Sequence, residues 1–137
     1  MRLTEHFTLE ELSLSETARR LGIDNTPTAS VTASLKALCL NVLEPLRIAW
    51  GAPVVVTSGY RCKALNRAVG SKDTSQHVKG EAADIRTLSD SPKDNRRLYG
   101  LIKELGLPVD QCINEYGYNW IHVSYGPKRR GMYFDLP

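Results

Sequence analysis

The feature that most constrains the fold is a change of periodicity at Gly51-Ala52-Pro53. Ahead of it, Val31, Leu35, Leu38, Val42, Leu43 and Leu46 recur at helical spacing, which predicts an amphipathic helix running towards Trp50. Pro45 lies inside that pattern and is expected to kink or strain it, since proline lacks the N–H a helix interior needs. Behind the break, Val54-Val55-Val56-Thr57-Ser58 is a β-branched run bounded by Pro53 and Gly59, which favours a buried strand. Helical patterns first and strands later predict an α+β fold, with N-terminal helices packed on a small sheet.

Local signals fill in the order of elements. Thr8-Leu9-Glu10-Glu11 reads as a capping box opening a short helix, and Ser15 as the cap of a second one through Arg20. Asp24 to Thr28 is a turn before the long helix. Cys62 to Val69 is expected to be a short helix and Gly70 to Gly80 a loop. Ala82 to Arg86 reads as a strand, and Ser91-Pro92 as the cap and first position of a helix through Leu105. Segments 111–116 and 120–125 are expected to be strands joined as a hairpin through Gly117-Tyr118-Asn119.

A chain of 137 residues is expected to be one domain, residues 1–137, so that recognition and catalysis share one cleft. Lys and Arg total 18 against 15 Asp and Glu, a net charge of +3 too small to suggest nucleic acid. No stretch reaches the ~18 apolar residues of a membrane span, and Met1-Arg2-Leu3-Thr4-Glu5-His6 does not open a signal peptide. Three cysteines at wide spacing suggest neither a disulfide framework nor a cysteine zinc cluster. The expectation is a monomer with reduced thiols, made in the cytoplasm.

The histidines number only three: His6, His77 and His122. In Ser75-Gln76-His77-Val78-Lys79-Gly80-Glu81-Ala82-Ala83-Asp84, a loop histidine precedes a strand carboxylate edged by small alanines, leaving room for an ion between them. His122 lies between Ile121 and Val123, so a strand turns its imidazole to the face of Trp120 and Ser124. Two imidazoles and a carboxylate are the donor set of an open catalytic zinc site. Taken singly, each has a plainer use: His122 as a hydrogen-bonded core residue, Asp84 as a cap or the ion-pair partner of Arg61 or Arg86. His6 reads as structural or solvated.

Together and in order, His6-Phe7-Thr8-Leu9-Glu10-Glu11-Leu12, Leu43-Glu44-Pro45-Leu46-Arg47, Thr57-Ser58-Gly59-Tyr60-Arg61, Ser75-Gln76-His77 through Asp84, and Trp120-Ile121-His122-Val123-Ser124-Tyr125 resemble one family. It is the zinc D-Ala-D-Ala carboxypeptidases and related peptidoglycan endopeptidases, peptidase family M15, and the resemblance is to its short phage or prophage members. It implies a mainly antiparallel sheet carrying the metal (the D-Ala-D-Ala carboxypeptidase/hedgehog-like arrangement) and one Zn2+ per chain on His77, Asp84 and His122. It also implies hydrolysis of amide bonds in peptidoglycan stem peptides, by a carboxypeptidase or an endolysin-type endopeptidase. The protein would reach the wall through a membrane lesion or as part of a virion.

Many members place an acid three positions before the last histidine, where this chain has Asn119. Glu115 is the nearest upstream carboxylate and resembles a glutamate of the short members, which would make it the general base. A hairpin with Tyr118-Asn119 at its tip puts Glu115 on the His122 face, and a one-residue slip turns it away. Arg61 resembles the family arginine that faces the oxyanion; its plainer use is a fork-type salt bridge. Ser75 and Gln76 are candidates for substrate contact or for orienting His77. Tyr60, Trp120 and Tyr125 can wall the cleft or belong to the core. Lys128-Arg129-Arg130 is a basic cluster that can favour an anionic wall. The missing acid at Asn119 favours the alternative, a non-catalytic zinc-containing wall-binding or virion module.

Overall fold

Each predicted helix start is capped as its residue type dictates. In the computed structural model, which describes residues 1–137, the Thr8 hydroxyl accepts the Glu11 N–H and the Glu11 carboxylate accepts the Thr8 N–H. This capping box opens α1 (Leu9–Ser13), and the Ser15 side chain caps α2 (Glu16–Leu21). Thr28 caps α3 (Ala29–Leu38) in the same way.

The expected single helix from Val31 to Trp50 is divided: α3 passes through a π-helical turn, Cys39–Leu43, into α4 (Glu44–Trp50). Pro45 is the physical reason. In an unbroken α-helix its ring would meet the Asn41 carbonyl, and its nitrogen could donate nothing. The wider turn, closed by the Glu44 N–H on the Cys39 carbonyl, leaves Pro45 in the first turn of α4, where no N–H is needed.

The remaining elements are β1 (Val54–Ser58), α5 (Lys63–Ala68), a 3-10 turn at Gln76–Lys79, β2 (Ala82–Thr87), α6 (Pro92–Glu104), β3 (Gln111–Glu115), β4 (Trp120–Ser124) and β5 (Met132–Leu136). The 3-10 turn lies inside the segment expected to be a loop. The strand β5 was not anticipated: it is a half-exposed edge strand with no clear alternation to announce it. The sheet order is β1-β2-β4-β3-β5, antiparallel except that β5 runs parallel to β3. The expected α+β class, helices on a mainly antiparallel sheet, is the class observed. No helix is long and apolar enough to cross a membrane.

Strand alternation sorts the sheet into two faces. Ala83, Ile85, Cys112, Ile121 and Val123 face the helices and join Leu12, Leu35, Leu38, Leu43, Leu46, Leu98 and Ile102 in one buried core. Ala82, Asp84, Ile113, Glu115, Trp120, His122 and Ser124 fall on the opposite face by the same alternation. The periodic leucines that predicted the long helix are thus the ones that cover the sheet.

Polar ties fasten the N-terminal segment to this core. The His6 backbone N–H donates to Glu44 Oε1 at 2.8 Å and its ring Nδ1 meets Oε2 at 2.6 Å, so His6 is structural. Burial pushes the Glu44 carboxyl up, but the bonds from His6 outweigh it and hold the group below its ordinary value. Gly59 packs directly on α1: a Cβ there would lie 2.2 Å from the Leu12 carbonyl oxygen. Gly80, at φ +73° beneath Val31, lets the 3-10 turn run straight into β2.

Gly59→Ala forces α1 away from the sheet and is expected to destabilise the fold by about 1–3 kcal/mol, read as a lower denaturant midpoint at unchanged slope. For Glu44, the lowered carboxyl contributes stability above the ordinary carboxylate range, and that contribution is lost as pH falls through the depressed value. Because two bonds from His6 end on this carboxylate, Glu44→Gln is expected to cost about 1.5–3 kcal/mol at pH 7, with the gap to the wild type closing in urea titrations as pH falls below the ordinary carboxylate range.

Candidate active site

Register decides which side chains meet. On the face away from the helices, Asp84 of β2 pairs across to His122 of β4, and Ile113 of β3 pairs with His122 from the other side. One step along the hairpin, Glu115 pairs with Trp120. Directly paired residues share a face, so the hairpin register turns Glu115 to the His122 side rather than away from it. Loop 116–119 sets that register, with the Asn119 N–H closing on the Glu115 carbonyl at 3.1 Å.

His77 reaches the same place from the 3-10 turn, which the Ser75 hydroxyl caps by accepting the His77 N–H. Ligand atoms of His77, Asp84 and His122 all lie within 4.8 Å of one another. Asp84 Oδ1 is 3.2 Å from His122 Nδ1 and 3.4 Å from His77 Nε2. The far side of the His77 ring is committed: its Nδ1–H donates to the Gly59 carbonyl at 2.7 Å. With Nδ1 committed, Nε2 is the ring nitrogen that faces the Asp84 carboxylate, the atom through which the ring can hold a cation placed between them. Burial pushes the Asp84 carboxyl up, yet His122 and His77 beside it hold it well below the usual carboxylate range. The donor set, its charge and its closeness fit one metal ion of the zinc type.

These residues line one cleft of 760 Å³. Glu115 lines it; Asn119 is exposed in the hairpin loop and does not. The indole N–H of Trp120 donates to Glu115 Oε2 at 3.2 Å. Arg61 also lines the cleft, and no carboxylate lies within ion-pair distance of it, so the fork-type salt bridge is absent. Neutral groups hold it instead: Nε donates to Asn66 Oδ1 at 3.0 Å and Nη1 to the Ser58 hydroxyl at 3.3 Å. Burial pulls the guanidinium down from its ordinary value, opposed by the charges of Asp84 and Glu115 on the same side of the sheet.

Other expected residues divide between cleft and scaffold. Ser75 and Gln76 line the cleft, and the Gln76 amide donates to Glu81 Oε1 at 3.4 Å. Tyr60 and Tyr125 belong to the core, leaving Trp120 as the wall among the three aromatics. Asp84 serves neither Arg61 nor Arg86, whose nearest acid is Asp90 at 3.9 Å. The basic cluster is partly spent: Arg130 forks onto buried Asp110 at 2.7 and 3.0 Å, and Arg129 lies 4.5 Å over the Tyr125 ring. Lys128 stays on the cleft rim.

Sequence reasoning missed two asparagines that hold the site. Asn66 is fully buried; its amide donates to the Lys72 carbonyl while its oxygen holds Arg61. Asn25 donates to the carbonyls of Ser13 and Tyr60 and accepts the Cys62 N–H. Asn66 had one available signal, a poor helix former in the middle of a short helix. Asn25 had none, because turn asparagines are common.

No curated protein matches the chain. Against protein families, residues 5–124 match Peptidase M15, a span that runs from the His6–Glu44 tie to the end of β4 and contains His77, Asp84, Glu115 and His122. The chain belongs to the peptidase M15 family.

Proposed function

We propose that this protein is a zinc-dependent peptidase that hydrolyses amide bonds in peptidoglycan stem peptides, with bonds to D-alanine as leading candidates. The observation that carries the reading is the meeting of Glu115 and Arg61 with the His77, Asp84 and His122 cluster in one cleft. Membership of a peptidase family supports the reaction class. The likeness of the ordered motifs to D-Ala-D-Ala carboxypeptidases and peptidoglycan endopeptidases supports the substrate.

In this reading His77, Asp84 and His122 hold one Zn2+, which when bound supplies Lewis-acid polarisation of the scissile carbonyl. Glu115 accepts a proton from the attacking water and returns it to the amine that leaves as the C–N bond breaks. The Arg61 guanidinium, kept off any carboxylate by Asn66 and Ser58, is available to the negative charge that grows on the carbonyl oxygen. Ser75, Gln76 and the Trp120 ring contact the peptide along the cleft. The protein acts as a monomer of one catalytic domain, and its place of action is the bacterial wall, reached through a membrane lesion or from a virion.

Purified protein is expected to carry about one zinc per chain, and digestion of purified peptidoglycan to release new amino and carboxyl ends whose masses name the bond. Wall sedimentation without such products would instead mark a binding module. Glu115→Gln is expected to keep its zinc and lose at least about 100-fold in kcat; an unchanged rate would move the base elsewhere. Arg61→Ala is expected to cost about 10²–10³ in kcat, with Arg61→Lys failing to restore it because a single ammonium cannot keep both neutral anchors.

A further inference from the structure

Glu115 ends β3 beside an exposed loop, where a glutamate carboxylate ordinarily swings through several rotamers. Here one of its oxygens is tied. Trp120, its cross-strand partner, donates the indole N–H to Oε2 at 3.2 Å, whereas no protein group bonds Oε1. The indole is itself backed by Tyr116, whose ring centroid lies 5.0 Å away at a 51° tilt.

Tyr116 holds that place through an unusual backbone. Tyr116, Gly117 and Tyr118 follow one another at φ 53°, 65° and 64°, left-handed values that tyrosine rarely adopts. The loop is pinned from beneath, where Asn95 donates to the Tyr118 carbonyl at 2.9 Å and Asn114 Oδ1 accepts the Tyr118 N–H. Core burial does not explain the Tyr116 conformation, since that side chain's residue is 56% exposed. What the strained turn achieves is contact between Tyr116 and the indole that binds Glu115.

We propose that Trp120 is a positioning residue for Glu115, with Tyr116 as its clamp: the indole N–H fixes the carboxylate by Oε2 and leaves Oε1 for the proton that is transferred. The inference rests on Glu115 being the base. It makes the two oxygens of that carboxylate inequivalent, so that the side chain meets the attacking water in one orientation instead of searching for it.

Trp120→Phe keeps the ring and removes the N–H. It is expected to lower kcat about 10- to 100-fold, with KM within about twofold and zinc content unchanged. In a Glu115→Gln background the same change is expected to add nothing, because its effect runs through the carboxylate. Tyr116→Ala, in the exposed loop, is expected to lower kcat by a smaller factor. A readout independent of turnover is the Trp120 indole proton resonance, told from that of Trp50 by its absence in Trp120→Phe; it is expected to move upfield in Glu115→Ala. Wild-type kcat in Trp120→Phe with an inactive Glu115→Gln overturns the positioning role and leaves the base in place. A risen KM at constant kcat also overturns it, by assigning the indole N–H to substrate binding rather than to the Glu115 carboxylate. If Glu115→Gln is active, the base reading itself fails. Should Trp120→Phe not fold, an unmoved indole resonance in Glu115→Ala or wild-type kcat in Tyr116→Ala is sufficient to overturn the proposal.

Discussion

The site depends on a reciprocal exchange between His77 and the segment that follows β1. The Gly59 carbonyl accepts a hydrogen bond from the His77 ring Nδ1–H, and the Arg61 N–H donates to the His77 carbonyl at 3.1 Å. The same segment is fixed to the helical layer, because the Tyr60 N–H donates to the Leu12 carbonyl at 2.7 Å and Asn25 binds on both sides of Arg61. One short stretch of backbone therefore sets the orientation of the His77 imidazole, the root of the Arg61 side chain and the seat of α1. None of these is adjustable alone: the Gly59 contact with Leu12 leaves no room for even a methyl group.

A second constraint is the two-faced sheet. Its helix side is apolar and closed, which gives the register a reason to be unique: a slip by one residue would carry Ile121 and Val123 out of the core and His122 into it. The burial that stabilises the fold thus also fixes how Asp84 and His122 face one another. Asp84 is the cost of that arrangement, a nearly buried carboxylate kept ionised by the two imidazoles beside it.

Much of this was legible in the sequence, for identifiable reasons. Caps at Thr8, Ser15 and Ser91 depend on a side chain and the backbone three residues on, so local sequence determines them. His77 and Asp84, which the fold brings together with His122, stood out by type and spacing, with a glycine and two alanines between them. The face of Glu115 was different, because it depends on how loop 116–119 closes, and two tyrosines in left-handed conformation are not anticipated from residue preference. The π-helical turn escaped because one extra residue in a turn hardly disturbs a 3.6-residue pattern. The edge strand β5 escaped because exposure removed its alternation, and Asn66 because its partners, the Lys72 carbonyl and the Arg61 guanidine, lie on either side of its short helix and follow no capping or periodic pattern.

The parallel pairing of β5 with β3 has a consequence for how the cleft is built. The end of β4, the start of β3 and the start of β5 lie at one end of the sheet, so the chain has to step sideways past the end of β3 to reach the edge position, and residues 125–131 make that crossing. They do so past Glu81, whose carbonyl accepts the Tyr125 N–H, and they bring Pro127, Lys128 and Arg130 to the cleft rim. The crossover is thus both a topological necessity and one end wall of the binding groove. Surface connections lengthen and shorten at small entropic cost, so the length of the cleft can be altered there without moving His77, Asp84 or His122.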